Sequence, residues 1–261
     1  MKKIIALLLT VASVITLTGC AASQGSSSDL DYIKNKGTLI VGITDFAPMD
    51  YKSDAGEWIG FDADLGRKVS EDLGVKIEFV EIDWDNKILE LDNKSIDCVW
   101  NGMTLTDEVK NSMNCTKAYC KNAQVVVLKA DKADQYKDEA SVSALNFAVE
   151  AGSAGEEVAT DKAWNYTSVS SQADALMEVE AGSSDACIID LLMAGAMIGE
   201  GTSYTDLATT VELTEEEYGV GCRKGSDLTA FLNEEFKKFY DDGSIDEIAK
   251  TYGVQYAVIA Q

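Results

Sequence analysis

The sequence predicts an α/β fold with mainly parallel sheets, because strand-like and helical segments alternate along most of the chain. Thr38–Ile43 reads TLIVGI, an apolar run typical of a buried strand. Apolar residues then recur at every fourth position from Phe61 to Leu73, which indicates an amphipathic helix that ends at Gly74. In folds of this kind, ligands bind at the carboxyl ends of the strands.

A short internal repeat predicts that the fold has two similar lobes. Residues 88–91 read ILEL and residues 176–179 read LMEV, and each stretch is followed by Ser and Asp at the same spacing. Each copy reads as a helix that leads into a short buried strand. A chance match between two amphipathic segments is the alternative.

The composition is that of a globular protein and excludes several classes of function. The chain has 261 residues, of which 46% are hydrophobic and 26% are charged, enough apolar residues for one or two packed domains. Asp and Glu number 45 against 22 Lys and Arg, and the net charge of −23 repels nucleic acid and anionic lipid surfaces. Histidine is absent from the sequence, which excludes Ser-His-Asp triads and His-ligated zinc. Without histidine a metal site would have to use cysteines alone, and no CxxC pair supports one, so we expect no metal site. We also expect no cofactor.

The first twenty residues resemble the leader of a bacterial lipoprotein. Two lysines precede an apolar run over residues 4–17, which is short for a transmembrane helix but typical of a signal peptide. The run ends in Leu-Thr-Gly-Cys, which resembles the lipobox in which the cysteine, here Cys20, is lipidated. We therefore expect a signal peptide over residues 1–19, a lipidated cysteine and flexible tether over residues 20–36, and anchoring at the extracellular face of the cell membrane. A plain secretory signal with a chance cysteine is the alternative.

Five cysteines follow Cys20 in the sequence. Three of them, Cys98, Cys187 and Cys222, lie in apolar strand-like segments and are expected to be small buried hydrophobic residues. The other two, Cys115 and Cys120, are close enough in sequence to close a local disulfide, but spacing alone does not establish the geometry.

Six short motifs occur in a characteristic order. They are DFAP at 45–48, GFDADL at 60–65, GMTLTDE at 102–108 after Ile96-Asp97, VEAGS at 149–153, SDACIID at 184–190, and YGVG at 218–221 with Lys224-Gly225. Together they resemble family 3 of the extracellular solute-binding proteins, the polar amino-acid receptors of ABC importers. The resemblance extends over about residues 37–254, with a mild departure at Ala63, where the family usually has an aliphatic residue.

The resemblance implies the two-lobed clamshell of the type II periplasmic-binding-protein fold. Lobe 1 would comprise residues 37–124 and 217–261, and lobe 2 residues 125–216, with a two-strand hinge whose crossovers lie near Leu128 and Glu215. A ligand bound between the lobes would favour the closed form, which a membrane permease recognises. The expected partners are a small-molecule ligand and the permease and ATPase of an ABC importer. The protein itself is expected to be a monomer that touches the membrane through its lipid anchor only.

The resemblance also implies a ligand-binding site between the lobes. Phe46 and Trp84 would stack on the ligand, and the turn that opens a helix after Gly152 would hold its anionic group. Asp190 would receive the α-ammonium group. The alternatives are that the two aromatic residues belong to the ordinary core and that Asp190 caps the helix from Leu191. The full expected set is Asp45, Phe46, Trp84, Asn101, Gly102, Met103, Thr104, Val109, Gly152, Ser153, Ala154 and Asp190.

One position departs from the family pattern in a way that affects the ligand. The family commonly has an arginine that binds the ligand carboxylate where this chain has Val109, and loss of one partner of a buried charge pair costs about 2–5 kcal/mol. Lys110 follows, but it would act only as a point charge, and nearby Glu150 and Asp190 are acidic. Two hypotheses stay open. The ligand has an ammonium group and a weakly held or absent carboxylate, as in an unusual amino acid or a small organic amine, or it is an ordinary amino acid whose carboxylate is held by Thr104 and the helix N-terminus.

The expected function is therefore capture of an amino acid or small amine outside the cell for import by an ABC transporter, without catalysis. Two other functions are compatible with this fold. One is a ligand-sensing protein with no transport partner, and the other is an enzyme resembling cyclohexadienyl dehydratases. A site without histidine or arginine, in a chain this acidic, suits the dianionic substrate of such an enzyme poorly.

Overall fold

The structure, a computed structural model, describes residues 28–261. The predicted signal peptide and Cys20 lie outside the described residues. Within them, none of the helices combines the length and the apolar character that crossing a membrane requires.

Helices and short strands alternate along the described part of the chain. The helices are α1 (Asp29–Lys36), α2 (Phe61–Leu73), α3 (Lys87–Asp92), α4 (Asp107–Ser112), α5 (Glu139–Val142), α6 (Ala154–Asp161), α7 (Gln172–Ala181), α8 (Leu191–Met197), α9 (Leu228–Asp241) and α10 (Ser244–Thr251). The strands are β1 (Thr38–Ile43), β2 (Tyr51–Lys52), β3 (Trp58–Ile59), β4 (Lys76–Glu81), β5 (Cys98–Val99), β6 (Asn114–Cys115), β7 (Cys120–Asn122), β8 (Gln124–Lys129), β9 (Asn146–Glu150), β10 (Asn165–Val169), β11 (Ala186–Asp190), β12 (Leu207–Glu212), β13 (Glu216–Tyr218) and β14 (Gly221–Cys222).

Within residues 28–261 the strands form two five-stranded sheets, one in each of two lobes. The sheet of lobe 1 has the order β4-β1-β5-β14-β6, and the sheet of lobe 2 has the order β10-β9-β11-β8-β12. In each sheet the first three strands are parallel, and the last two are joined by antiparallel pairing. The predicted α/β class with two sheet-containing lobes is therefore confirmed, although the sheets are mixed.

Two paired strands, β7 and β13, lie between the lobes. They run antiparallel, with Asn122 opposite Glu216. The sequence places the first crossover near Leu128, but Leu128 is buried inside β8, a strand of the lobe 2 sheet that pairs with both β11 and β12. The crossing therefore comes before Gln124, where β8 begins. The apolar run fills the interior of a sheet, and the more polar residues ahead of it make the crossing.

The end of the predicted tether, residues 20–36, is a helix that packs on lobe 1. This helix is α1, and its Ile33 is fully buried in the main hydrophobic core. The guanidinium group of Arg223 donates a hydrogen bond to the carboxylate of Asp29 at 3.0 Å, which ties the start of the helix to the end of β14. The folded domain therefore begins at least as early as Asp29.

The five cysteines of the described residues are free thiols. As expected, Cys98, Cys187 and Cys222 are fully buried. Cys115 and Cys120 lie on β6 and β7, which belong to different sheets, and they form no disulfide.

A buried pair of carboxyl groups in lobe 1 makes stability depend on pH. Asp50 and Asp62 are almost completely buried, and neither carboxyl oxygen of Asp50 has a hydrogen-bond partner among the described residues. Asp62 accepts hydrogen bonds from the hydroxyl of Tyr119 and the amide of Gly102, each at 2.7 Å. Burial raises the pKa of Asp62 from its ordinary value of 3.8 to about 7, and burial followed by the charge of Asp62 raises the pKa of Asp50.

The folded state favours the protonated form of Asp62, so the raised pKa of this group stabilises the fold. This stabilisation has its full value below about pH 4. That contribution is lost as the pH rises to about 7. Asp50→Asn removes the second carboxyl group with a raised pKa, and with it that group's share of the pH dependence, so we expect this variant to lose less stability than the parent between these pH values. Thermal unfolding at a series of pH values measures the difference, with the exposed Asp54→Asn as the matched control. Parallel curves for all three proteins would contradict the role of this pair.

Candidate functional site

A cavity of about 310 Å³ lies between the two lobes. The lobe 1 residues of the expected site that line it are Phe46, Trp84, Asn101, Gly102, Met103, Thr104 and Val109. The lobe 2 residues of the expected site that line it are Gly152, Ser153, Ala154 and Asp190. Asp45 instead lines a neighbouring cavity, together with Glu81 and Asp174.

Further side chains outside the expected set also line the cavity. They are Lys87, Thr106, Glu108, Glu150, Glu156, Glu157, Thr160, Asp161, Tyr166 and Gln172. Among the described residues that line the cavity, six side chains are acidic and one, Lys87, is basic. The cavity as a whole therefore attracts cations.

The lobe 1 wall of the cavity is closely packed. Phe46 is buried and packs edge-on against Tyr218, with 6.4 Å between ring centroids. Gly102 has a φ of 54°, and a Cβ atom at that position would clash with the ring of Phe46, so a glycine is required here. Asn101 donates a hydrogen bond to the hydroxyl of Thr44 at 2.9 Å and accepts one from its amide at 3.1 Å. The polar atoms of Asn101 thus hold the end of β1 in place.

Asp190 lies at the floor of the cavity, at the end of β11. Its carboxylate accepts hydrogen bonds from the carboxamides of Asn122 and Gln172, and from that of Gln124 at 2.9 Å. Its side chain does not cap α8, although the residue occupies the capping position. Asn122 accepts the hydrogen bond from the amide of Leu192 at 3.3 Å instead. Asp190 is therefore held by three neutral donors and is not matched by a cation within the described residues.

A second carboxylate, Glu216 of strand β13, shares these donors. Glu216 accepts hydrogen bonds from Asn122 at 2.6 Å and Gln124 at 2.7 Å, and from the hydroxyl of Thr104 at 2.9 Å. Burial, and then the neighbouring charge of Glu216, raise the pKa of Asp190 well above its usual value. The hydroxyl proton of Thr104 is thus directed at Glu216 and not at the cavity. A cation beside Asp190 would relieve the repulsion between the two carboxylates.

Glu150, the last residue of β9, is a further buried acid that lines the cavity. Its Oε1 atom has no hydrogen-bond partner among the described residues, and the side chain is almost completely inaccessible. Burial raises the pKa of Glu150 to about 8, against the opposing effect of nearby Lys87. The sequence marks Glu150 only as an acidic neighbour. Its place at the end of the apolar strand NFAVE is the signal that could have identified it.

Lys87, the first residue of α3, connects the two lobes. It is 5% exposed, and its Nζ donates hydrogen bonds to the carbonyl of Gly152 in lobe 2 at 2.8 Å and to that of Trp84 at 3.2 Å. The same Nζ lies 5.1 Å from the centroid of the Trp84 ring. Burial lowers the pKa of Lys87, while nearby carboxylates raise it. Sequence reasoning missed this residue, although it lies one helical turn before the buried Leu91 on the same helix face.

Val109 lines the cavity at the position where the family commonly has an arginine. It is buried in an apolar cluster that includes Trp84, Met103 and Met113. Lys110 is exposed and lines a different cavity, so it does not replace the missing guanidinium group.

The lobes meet at the turn before α6. Gly152 has a φ of 70°, and a Cβ atom there would lie 2.7 Å from the Cα atom of Asp85 in lobe 1. Its amide donates to the carboxylate of Glu156 at 2.7 Å, and the hydroxyl of Ser153 accepts the amide of Glu156 at 3.1 Å. This capped turn aims the N-terminus of α6 at the cavity.

The family described as bacterial extracellular solute-binding proteins, family 3, has a model that matches residues 39–255. The chain belongs to this family. The resemblance of the six motifs is thereby confirmed.

Individual relatives agree with this assignment. The arginine-binding extracellular protein ArtP of Bacillus subtilis (strain 168) is 28% identical over 262 residues, which are 97% of this chain and 98% of that protein. The solved structure of an ABC uptake transporter substrate-binding protein from Streptococcus pneumoniae with bound histidine is 28% identical, with a TM-score of 0.79 over 89% of this chain and 99% of that chain. That of the ancestral amino acid-binding protein AncCDT-1, a precursor of cyclohexadienyl dehydratase, is 30% identical, with a TM-score of 0.79 over 86% and 99% of the two chains.

Proposed function

We propose that this chain is the lipid-anchored solute-binding component of an ABC importer, and that it captures an amino acid or a related small amine outside the cell. The observation that supports this most directly is Asp190, a buried carboxylate at the floor of the cavity between the lobes. Neutral carboxamides orient it, and within the described residues it forms no ion pair. The ammonium group of a ligand would supply the missing positive charge.

Closure of the lobes over the ligand is the step that would signal occupancy to a permease. A ligand at Asp190 touches lobe 2, and the same ligand against Phe46 touches lobe 1. Its binding free energy therefore favours the closed arrangement, in which Lys87 reaches the carbonyl of Gly152.

Thermal unfolding in the presence of a panel of L-amino acids and small amines tests this proposal. We expect at least one compound to raise the melting temperature in a concentration-dependent way, by a stabilisation of about 2.7 kcal/mol at one hundred times its Kd. For an amino acid the control is its Nα-acetylated form, which keeps the side chain and the carboxylate but has no α-ammonium group, and for an amine the control is the N-acetylated amine. Equal shifts for the free and acetylated forms, or no shift with any member of the panel, would contradict the proposal.

A further inference from the structure

Lys87 is a buried cation without a direct ion-pair partner among the described residues. Among residues 28–261, no carboxylate oxygen lies within 4.0 Å of its Nζ, although eleven other Lys or Arg contacts of that kind occur. Its hydrogen-bond partners are the neutral carbonyl groups of Gly152 and Trp84. Carboxylates beyond this distance, among them Glu150 and Glu156, act on the charge through space, but none contacts Nζ, so an anion in direct contact would stabilise the buried charge further.

The geometry around Nζ leaves room for such an anion. A lysine ammonium group has three N–H donors, and the two carbonyl groups use two of them. Lys87 lines the cavity, so the remaining donor is available to a ligand there. Its partner Gly152 lies beside the N-terminus of α6, an eight-residue helix whose first amides have no partner within the helix. A carboxylate beside Lys87 would therefore also lie close to the positive end of the helix dipole.

The same cavity contains the opposite charge as well. Asp190 forms no ion pair, and Glu150 has an unpartnered carboxyl oxygen. A cation and acidic groups that lack direct partners together match a molecule with both a carboxylate and an ammonium group. An amine without a carboxylate would contact the acidic groups but would leave Lys87 without a direct anionic partner.

We infer that Lys87 binds the carboxylate of the ligand in place of the arginine replaced by Val109, and that the ligand is a zwitterionic amino acid and not a simple amine. This inference rests on the proposed function. It decides between the two ligand classes that the sequence leaves open. It also places the cationic group that binds the carboxylate at the start of α3, and not on α4, where the family commonly has an arginine.

The test compares each amino acid with the amine that its decarboxylation gives. Suitable pairs are L-arginine with agmatine, L-lysine with cadaverine, and L-histidine with histamine, titrated calorimetrically into the parent and into Lys87→Met. We expect the parent to prefer the amino acid, and Lys87→Met to bind it about 30-fold or more weakly. The same substitution makes the cavity more acidic, so the affinity for the amine should stay equal or rise. A purely structural role for Lys87 would weaken both compounds alike.

Two further variants complete the design. Lys110→Met removes an exposed lysine that lines a different cavity, and it should leave the preference unchanged. Lys87→Arg keeps a cation at the site and should retain a measurable preference for the amino acid. An unchanged ratio of affinities in Lys87→Met, or a parent that binds the amine as tightly as the amino acid, would overturn the assignment of Lys87 while leaving ligand capture intact. Binding of no compound at all would instead overturn the proposed function, and the inference with it.

Discussion

Replacing Asp190 by asparagine is expected to weaken ligand binding by at least about 30-fold. The substitution keeps the shape of the side chain but removes the charge that would pair with the ammonium group of the ligand. It also directs an amide donor at side chains that are themselves donors, the carboxamides of Asn122, Gln124 and Gln172. Loss of one partner of a buried charge pair costs about 2–5 kcal/mol, which corresponds to roughly 30- to 4,000-fold in Kd.

Isothermal titration of the parent and Asp190→Asn with the best compound of the panel measures this effect. Asp161→Asn is the matched control, because Asp161 also lines the cavity but is exposed at its rim. Its charge affects mainly the rate of association, and its loss should change Kd by less than about tenfold. Circular dichroism separates loss of binding from loss of folding. If Asp190→Asn binds as tightly as Asp161→Asn does, the ammonium group lies elsewhere.

Adding one methyl group at Gly152 is expected to prevent full closure. A Cβ atom there would lie 2.7 Å from the backbone of Asp85, so the two lobes would have to separate to accept it. The positive φ of 70° adds a local cost of about 1–2 kcal/mol for any residue with a side chain. We therefore expect Gly152→Ala to weaken ligand binding by at least about tenfold, since the ligand can no longer contact both lobes.

Gly182→Ala separates the two causes. Gly182 has a φ of 77°, close to that of Gly152, but a Cβ atom there meets nothing within 4 Å. This control should lower the melting temperature without changing Kd. Small-angle scattering with and without ligand reports closure directly, and we expect the radius of gyration to fall for the parent and for Gly182→Ala but not for Gly152→Ala. Equal compaction of all three proteins would show that the contact at Gly152 does not limit closure.

The regular elements of lobe 1 are predictable because local signals determine them. The strand at Thr38–Ile43 and the helix at Phe61–Leu73 occur as the apolar patterns predict, and the left-handed Gly74 ends the helix. The position of the crossing between the lobes is less predictable. The apolar run before Leu128 has the composition of a buried strand, and that composition is the same whether the chain crosses before the run or after it. Sequence patterns distinguish strand from helix but do not indicate the lobe to which a strand belongs.

The site shows a similar division. The chain around Asp45 and Phe46 brings adjacent residues to different surfaces, so Phe46 lines the main cavity while Asp45 lines its neighbour. Lys87 could not be assigned because its partner is 65 residues away, on the other lobe. Glu150 could not be assigned for the same reason, because a carboxyl oxygen can be identified as unpartnered only when the positions of all surrounding groups are known. Local sequence identifies residue types, whereas unmatched charge is a property of the assembled cavity.

The attachment of α1 has a consequence for how the protein would stand at a cell surface. Arg223 and the buried Ile33 fasten this helix to lobe 1, and no part of it belongs to the lobe 2 sheet. Any pull from an anchored segment upstream of Asp29 would therefore be borne by lobe 1 alone. Lobe 2 would move relative to the anchored lobe 1, so opening and closing of the cavity would not require the point of attachment to move.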